Sequence, residues 1–107
     1  MGWFNCFQKK NKILIESSEN ELYIFEHAIV DRLRFLNARS EKLLRIAKVA
    51  SRLGEMRRAS LFINARKRIL EEQERLVKQL MEVSEKRRAS PQEKEAVIRF
   101  LKELGLY

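Results

Sequence analysis

Between Leu22 and Ala50 the apolar and small residues repeat with the spacing of a helix that buries one narrow stripe. Leu22, Ile29, Leu36, Leu43 and Ala50 form one column seven residues apart, and Glu26, Leu33, Ser40 and Ala47 form a second. Alternating steps of three and four residues bring both columns onto one helical face. No Gly or Pro interrupts the run before Gly54. The spacing predicts a helix from about Ser18 to Leu53, roughly 50 Å long by the rise per residue of an α-helix. Ser17 or Ser18 can cap it, with Glu21 as the capping-box acid for Ser18.

Leu53-Gly54-Glu55 breaks the pattern, and Gly is the residue that ends a helix in the left-handed conformation at least steric cost. Periodicity then resumes, with Met56, Ile63, Leu70 and Val77 in one column, Phe62, Ile69, Leu76 and Val83 in the next, and Ala59 and Leu80 beside them. This predicts a second helix over about Glu55 to Glu85. Two long helices joined by so short a turn run antiparallel. The alternative is one rod passing through Gly54, since a lone Gly costs a helix only about 1 kcal/mol relative to Ala. Lys86-Arg87-Arg88-Ala89 reads as a solvated linker. Ser90-Pro91-Gln92-Glu93 is a helix start, with Ser as N-cap, Pro at the first position and Glu at the third. Val97, Ile98, Leu101 and Leu104 give this third helix an apolar face, and Gly105 ends it. The expected fold is all-α, a long antiparallel αα-hairpin plus a short C-terminal helix. Its parts are an amphipathic N-terminal segment (1–17), the hairpin core (18–85), the linker (86–89) and the terminal helix (90–107).

Composition agrees. Three Gly and one Pro in 107 residues are too few turn residues for a sandwich or barrel, and 45% hydrophobic residues are too many for a disordered tail. No run approaches the roughly 20 apolar residues of a membrane span. The N-terminal aromatics precede the lysines, which is the wrong order for a signal peptide. Gly2 lacks the Ser or Thr at position 6 that myristoylation prefers, since Cys6 stands there. One cysteine allows no internal disulfide, and the expected location is cytoplasmic.

Catalytic signals are weak. His27 has no second His four residues away to build a metal site, and it reads as a surface or interfacial histidine. Cys6 and His27 would meet only by tertiary accident. The glycines stand at 2, 54 and 105, so no phosphate loop exists. Glu71, Glu72 and Glu74 share their helix with Arg75 and Lys78 and read as a solvated, ion-paired face. No enzyme, metal or cofactor is expected.

Charge is the stronger signal. Residues 1–30 carry three Lys against four Glu, and residues 69–107 carry eight charges of each sign. Residues 31–68 carry twelve Lys and Arg against three acids, a surplus of nine that exceeds the net charge of +8 of the whole chain. Such a block gathers polyanions, either anionic lipid or nucleic acid. Arg32, Arg34, Arg39, Lys42, Arg45, Lys48 and Arg52 are its first-helix members, and Arg57, Arg58, Arg66, Lys67 and Arg68 continue it. Upstream, Trp3, Phe4 and Phe7 are backed by Lys9, Lys10 and Lys12. Aromatics ahead of cations form a shallow membrane anchor, or they fold back over the hairpin. A hairpin also leaves an apolar shoulder of Phe25, Val30, Phe35, Leu44, Ile46 and Val49 uncovered, which calls for self-association or membrane contact.

The stretch from Arg39 through Leu53-Gly54-Glu55 to Asn64 resembles the junction of the first two helices in ESCRT-III proteins, especially the archaeal cell-division (CdvB-type) branch. There a basic first helix leads to Gly-Asp/Glu, two variable residues, Arg/Lys-Ala, an aromatic and Asn. Gly54-Glu55, Arg58-Ala59, Phe62 and Asn64 occupy those places. The resemblance covers roughly residues 20–83. It departs from the family at Ala65 and Arg68, where acids are usual, and the chain is short for the further helices of that core. The end of the chain is weakly similar to the Leu-rich tail motif that binds the MIT domain of a partner AAA ATPase, through Val97, Leu101 and Leu104. Phe100 and Gly105 stand there in place of basic residues.

The resemblance implies a filament of hairpins on an anionic membrane at the inner face of the cell membrane, acting in cell division or vesicle scission. Phe25, Phe35, Leu44, Phe62, Ile69 and Leu76 are the expected self-assembly residues, and Trp3, Phe4 and Phe7 the inserted ones. The expected partners are the chain itself, the membrane, a related ESCRT-III-like protein and the ATPase. A small basic nucleic-acid-binding protein, or a coiled-coil adaptor or regulator of a larger filament, remains the alternative.

Overall fold

The computed structural model describes residues 19–107. Three helices follow one another, α1 (Glu19–Arg52), α2 (Met56–Lys86) and α3 (Pro91–Glu103). The two long helices pack side by side as an antiparallel hairpin, and the described residues measure 53 × 29 × 15 Å. The turn after α1 explains why the chain reverses. The Gly54 amide donates to the Ser51 carbonyl at 3.0 Å and the Glu55 amide to the Ala50 carbonyl at 2.9 Å. Those paired bonds satisfy the last carbonyls of α1 and need a left-handed residue between them, which Gly54 supplies at φ +79°.

The buried residues of α1 are Leu22, Glu26, Ile29, Leu33, Leu36, Ser40, Ala47 and Ala50, all drawn from the two columns that the spacing predicts. In α2 the stripe is turned by one column. Leu76 and Val83 are buried as expected, but Met56, Ile63 and Leu70 face outward at 63%, 45% and 37% exposure. The second inward column is instead Ala59, Arg66, Gln73 and Leu80, continued by Arg87. Two of its members carry buried polar atoms with no partner among the described residues, the Arg66 Nε and both amide atoms of Gln73. Apolar periodicity alone favours Met56–Ile63–Leu70–Val77; packing against α1 selects the mixed column.

Core volume is unevenly distributed along the hairpin. At the open end Leu22, Ile29, Leu33 and Leu36 pack with Leu76, Leu80, Val83 and the Val97 and Leu101 of α3. Toward the turn the buried residues are Ala47, Ala50 and Ala59.

The segment between α2 and α3 is not the solvated linker its basic sequence predicts. Arg87 and Ala89 are buried, and Arg87 donates to the buried Glu26 from Nε at 3.2 Å and from Nη2 at 3.3 Å. Ser84 donates to the same carboxylate at 2.9 Å, and Arg87 also pairs with Glu93 at the start of α3. This network is hidden from sequence reasoning because Glu26 lies 61 residues from Arg87. It fixes where α3 begins. Ser90 then caps α3 with the reciprocal box that its sequence predicts, the Glu93 amide donating to Ser90 Oγ at 3.2 Å and the Ser90 amide to Glu93 Oε1 at 3.3 Å.

Candidate functional site

The tip half of the hairpin is where charge and exposure coincide. Residues 39–68 hold ten Lys and Arg against two acids, Glu41 and Glu55. Glu55 is matched by Arg58 at 3.3 Å. Arg39, Lys42, Arg45, Lys48, Arg52 and Arg57 are exposed, and among the described residues none has an acid within salt-bridge distance. The other two predicted cations of α1 have partners. Arg32 pairs with Glu72 across the hairpin at 3.2 Å and lies 5.3 Å from the Phe35 ring centre. Arg34 is exposed, lies 3.9 Å from Asp31 one turn earlier and stands 5.1 Å from the Phe100 ring centre on α3. Of the seven predicted cations of α1, Arg32 and Arg34 thus each meet an acid and an aromatic ring, and the other five face solvent without an acid partner.

The start of α2 adds to the positive field. Glu55 makes no side-chain cap, and the first turn carries no acid but Arg57 and Arg58. Cations at a helix N-terminus work against the macrodipole, by about 0.3–1 kcal/mol each when exposed. A sequence optimised for stability alone would place acids there.

Large aliphatic side chains cluster at the same end. Of ten exposed large hydrophobics among the described residues, five fall between positions 49 and 63: Val49 at 51%, Leu53 at 70%, Met56 at 63%, Leu61 at 68% and Ile63 at 45%. The alanine core explains this. Small residues let the helices close on each other, and the large side chains beside them are turned outward. Two shallow grooves result, one on each side of the turn. The first, of about 450 Å³, runs between Ile46, Leu53, Arg58, Leu61 and Phe62. The second, of about 380 Å³, runs between Lys48, Met56 and Ile63.

The predicted self-assembly residues separate. Phe35 is exposed, Leu44 and Phe62 are half-buried, and Phe25 and Ile69 pack against the core. Leu76 is completely buried between α1 and α2 and presents no surface to a second copy. Val97 and Leu101 are likewise buried against the hairpin, and Leu104 packs on the same core. The face of α3 predicted to meet a partner is therefore the face that holds α3 in place. Trp3, Phe4, Phe7, Lys9, Lys10 and Lys12, and the capping residues Ser17 and Ser18, lie outside the described residues. Leu53, Met56 and Leu61 were not singled out as surface residues by the sequence. The available signal was the alanines at inward positions near the turn, which leave the neighbouring large residues no core to enter.

Among the described residues no helix is long and apolar enough to cross a membrane. Compared with known proteins, the chain matches no family model, no curated protein sequence and no solved structure.

Proposed function

We propose that this chain is an ESCRT-III-like membrane-remodelling protein, a non-catalytic helical hairpin that assembles with copies of itself on anionic membranes during cell division or vesicle scission. The observation that carries the reading is the polarity of the molecule. One end is a three-helix core with balanced charge, and the other is a two-helix tip with ten cations against two acids and exposed aliphatic side chains. Anionic lipid matches both properties of the tip, because headgroups attract the cations and the interface accepts the aliphatics. Nucleic acid matches only the charge. The motif Gly54-Glu55, Arg58-Ala59, Phe62, Asn64 supports the same reading. Gly54 makes the turn, Glu55 and Arg58 pair within the start of α2, Ala59 is buried, and Phe62 lines a groove. Self-assembly is supported by Phe35, Ile63 and Leu70, large apolar residues left outside the hairpin core.

Negative-stain electron microscopy of the full chain, with and without anionic vesicles, tests this function. Filaments or coated, tubulated vesicles are the expected result. Discrete particles beside bare vesicles would contradict it.

A further inference from the structure

We infer that the hairpin turn itself enters the bilayer, so that the hairpin meets an anionic lipid surface end-on, with Leu53, Met56 and Leu61 in the headgroup–acyl boundary. This rests on the membrane reading above and deepens it by naming the contact and its orientation. The sequence alone points elsewhere, to a hairpin lying flat on its α1 cations with the N-terminal aromatics inserted.

Three observations place the contact at the turn. Leu53, Met56 and Leu61 are, at 70%, 63% and 68%, three of the most exposed large hydrophobics among the described residues, and they sit at or beside the turn joining α1 to α2. Arg45, Lys48, Arg52, Arg57 and Arg58 stand on the same end, while its acid Glu55 is matched by Arg58. Aliphatic side chains ringed by cations are what an anionic bilayer interface accommodates. The third observation concerns the backbone. A turn entering the interface loses water from its peptide groups, and unpaired ones are expensive there. Here the Leu53, Gly54 and Glu55 amides all donate to carbonyls of the last turns of α1, at 3.0, 3.0 and 2.9 Å. The chain reversal enters with those groups already bonded.

Other occupants fit less well. A second copy offering its own tip would bring like charges together. A second copy offering the acidic side of α2, around Glu71 and Glu74, answers the cations and leaves the aliphatics without a partner. Phosphodiester backbones do the same.

The test uses the full chain with Cys6→Ser and a single cysteine at Leu53, Leu61 or, as a control on the outer face of α2, Glu71. Each carries an environment-sensitive fluorophore and is mixed with phosphatidylcholine vesicles that contain or lack phosphatidylglycerol. Blue-shifted emission at positions 53 and 61 but not 71, only with the anionic lipid, is the expected result. The unlabelled Leu53→Ser/Met56→Ser/Leu61→Ser variant should keep its helical circular dichroism, since these side chains are exposed, and lose vesicle affinity by about tenfold or more. Wild-type affinity in that variant, with equal emission at all three labels, would overturn end-on insertion and leave the membrane reading standing. A variant that keeps vesicle affinity but loses self-association would also overturn it, in favour of a protein contact. A wild-type chain that ignores anionic vesicles and binds duplex DNA would overturn both.

Discussion

Individual side chains in this hairpin raise or lower its stability by amounts that can be measured. Gln73 is 1% exposed, and neither of its amide atoms has a partner among the described residues. A buried polar group without a hydrogen bond costs about 1–3 kcal/mol in mutational series. Gln73→Leu is therefore expected to stabilise the hairpin by at least about 1 kcal/mol, read from the urea midpoint. Arg87 works in the opposite direction. Burial opposes its charge, yet its hydrogen bonds to Glu93 and Glu26 and their nearby charges outweigh that and hold its pKa above the ordinary value. Removing it strands the Glu26 carboxylate in the core, and breaking a buried pair costs about 3–5 kcal/mol. The side chains of both are 10% exposed, so Arg87→Ala should lose about 3 kcal/mol or more by urea unfolding. Arg88 takes φ +54° at the end of α2, where its amide donates to the Glu85 carbonyl at 3.1 Å and the Ala89 amide to the Ser84 carbonyl at 3.4 Å. The motif wants Gly in the left-handed position, and a residue with a side chain costs about 1–2 kcal/mol there. After the entropy that Gly loses on folding, Arg88→Gly is expected to gain about 0.5 kcal/mol in the same assay.

At the scale of whole elements, the proposed membrane contact falls at helix ends. The first turn of α2 has two arginines and no capping side chain, against its own dipole. Arg57→Glu should therefore raise the thermal midpoint, by roughly 0.3–1 kcal/mol in free energy, and at the same time weaken binding to anionic vesicles. A variant that is more stable but binds vesicles as tightly as before would show that the arginine serves neither purpose. The elements also show why some of the architecture was readable and some was not. In α1 the two columns hold even at Glu26 and Ser40, so spacing alone found the buried face. In α2 the apolar column Met56–Ile63–Leu70 was the decoy, because periodicity cannot say which of two adjacent columns faces a neighbour. The mixed column through Gln73 is selected only by contact with α1. The role of Arg87 was illegible for a related reason: a basic tetrapeptide looks solvated until a carboxylate distant in sequence is brought beside it. The cations of the tip were legible as a block. That Arg32 and Arg34, just before the tip, meet Glu72 and Phe100 was not legible, because each partner is far away in the chain.

Taken whole, the described residues have one end with a three-helix core and one end, the basic tip, that the proposal sets against a membrane. Its pH response should follow that division. Glu93 is held below the ordinary carboxylate range, chiefly by the hydrogen bond from Arg87 and then by those with Ser90. A carboxyl whose folded pKa lies below its unfolded value contributes stability above that value, about 4.3 for Glu, and loses it as pH falls through the depressed one. Acidification should accordingly loosen α3 before it melts the hairpin. Amide hydrogen exchange at residues 91–104 should accelerate on going from neutral pH to about pH 3 beyond the intrinsic pH effect, and Glu93→Gln should remove most of that excess. The tip carries ten cations against two acids, so its attraction to anionic surfaces should persist at mildly acid pH.

The most direct test of this two-ended account is hydrogen–deuterium exchange of the full chain with and without anionic vesicles. New protection across residues 45–63 on vesicle binding, with none added in the core of α3 at 97–101, is the expected result. Protection gained mainly on α3 and the open end, with 45–63 unchanged, would contradict it.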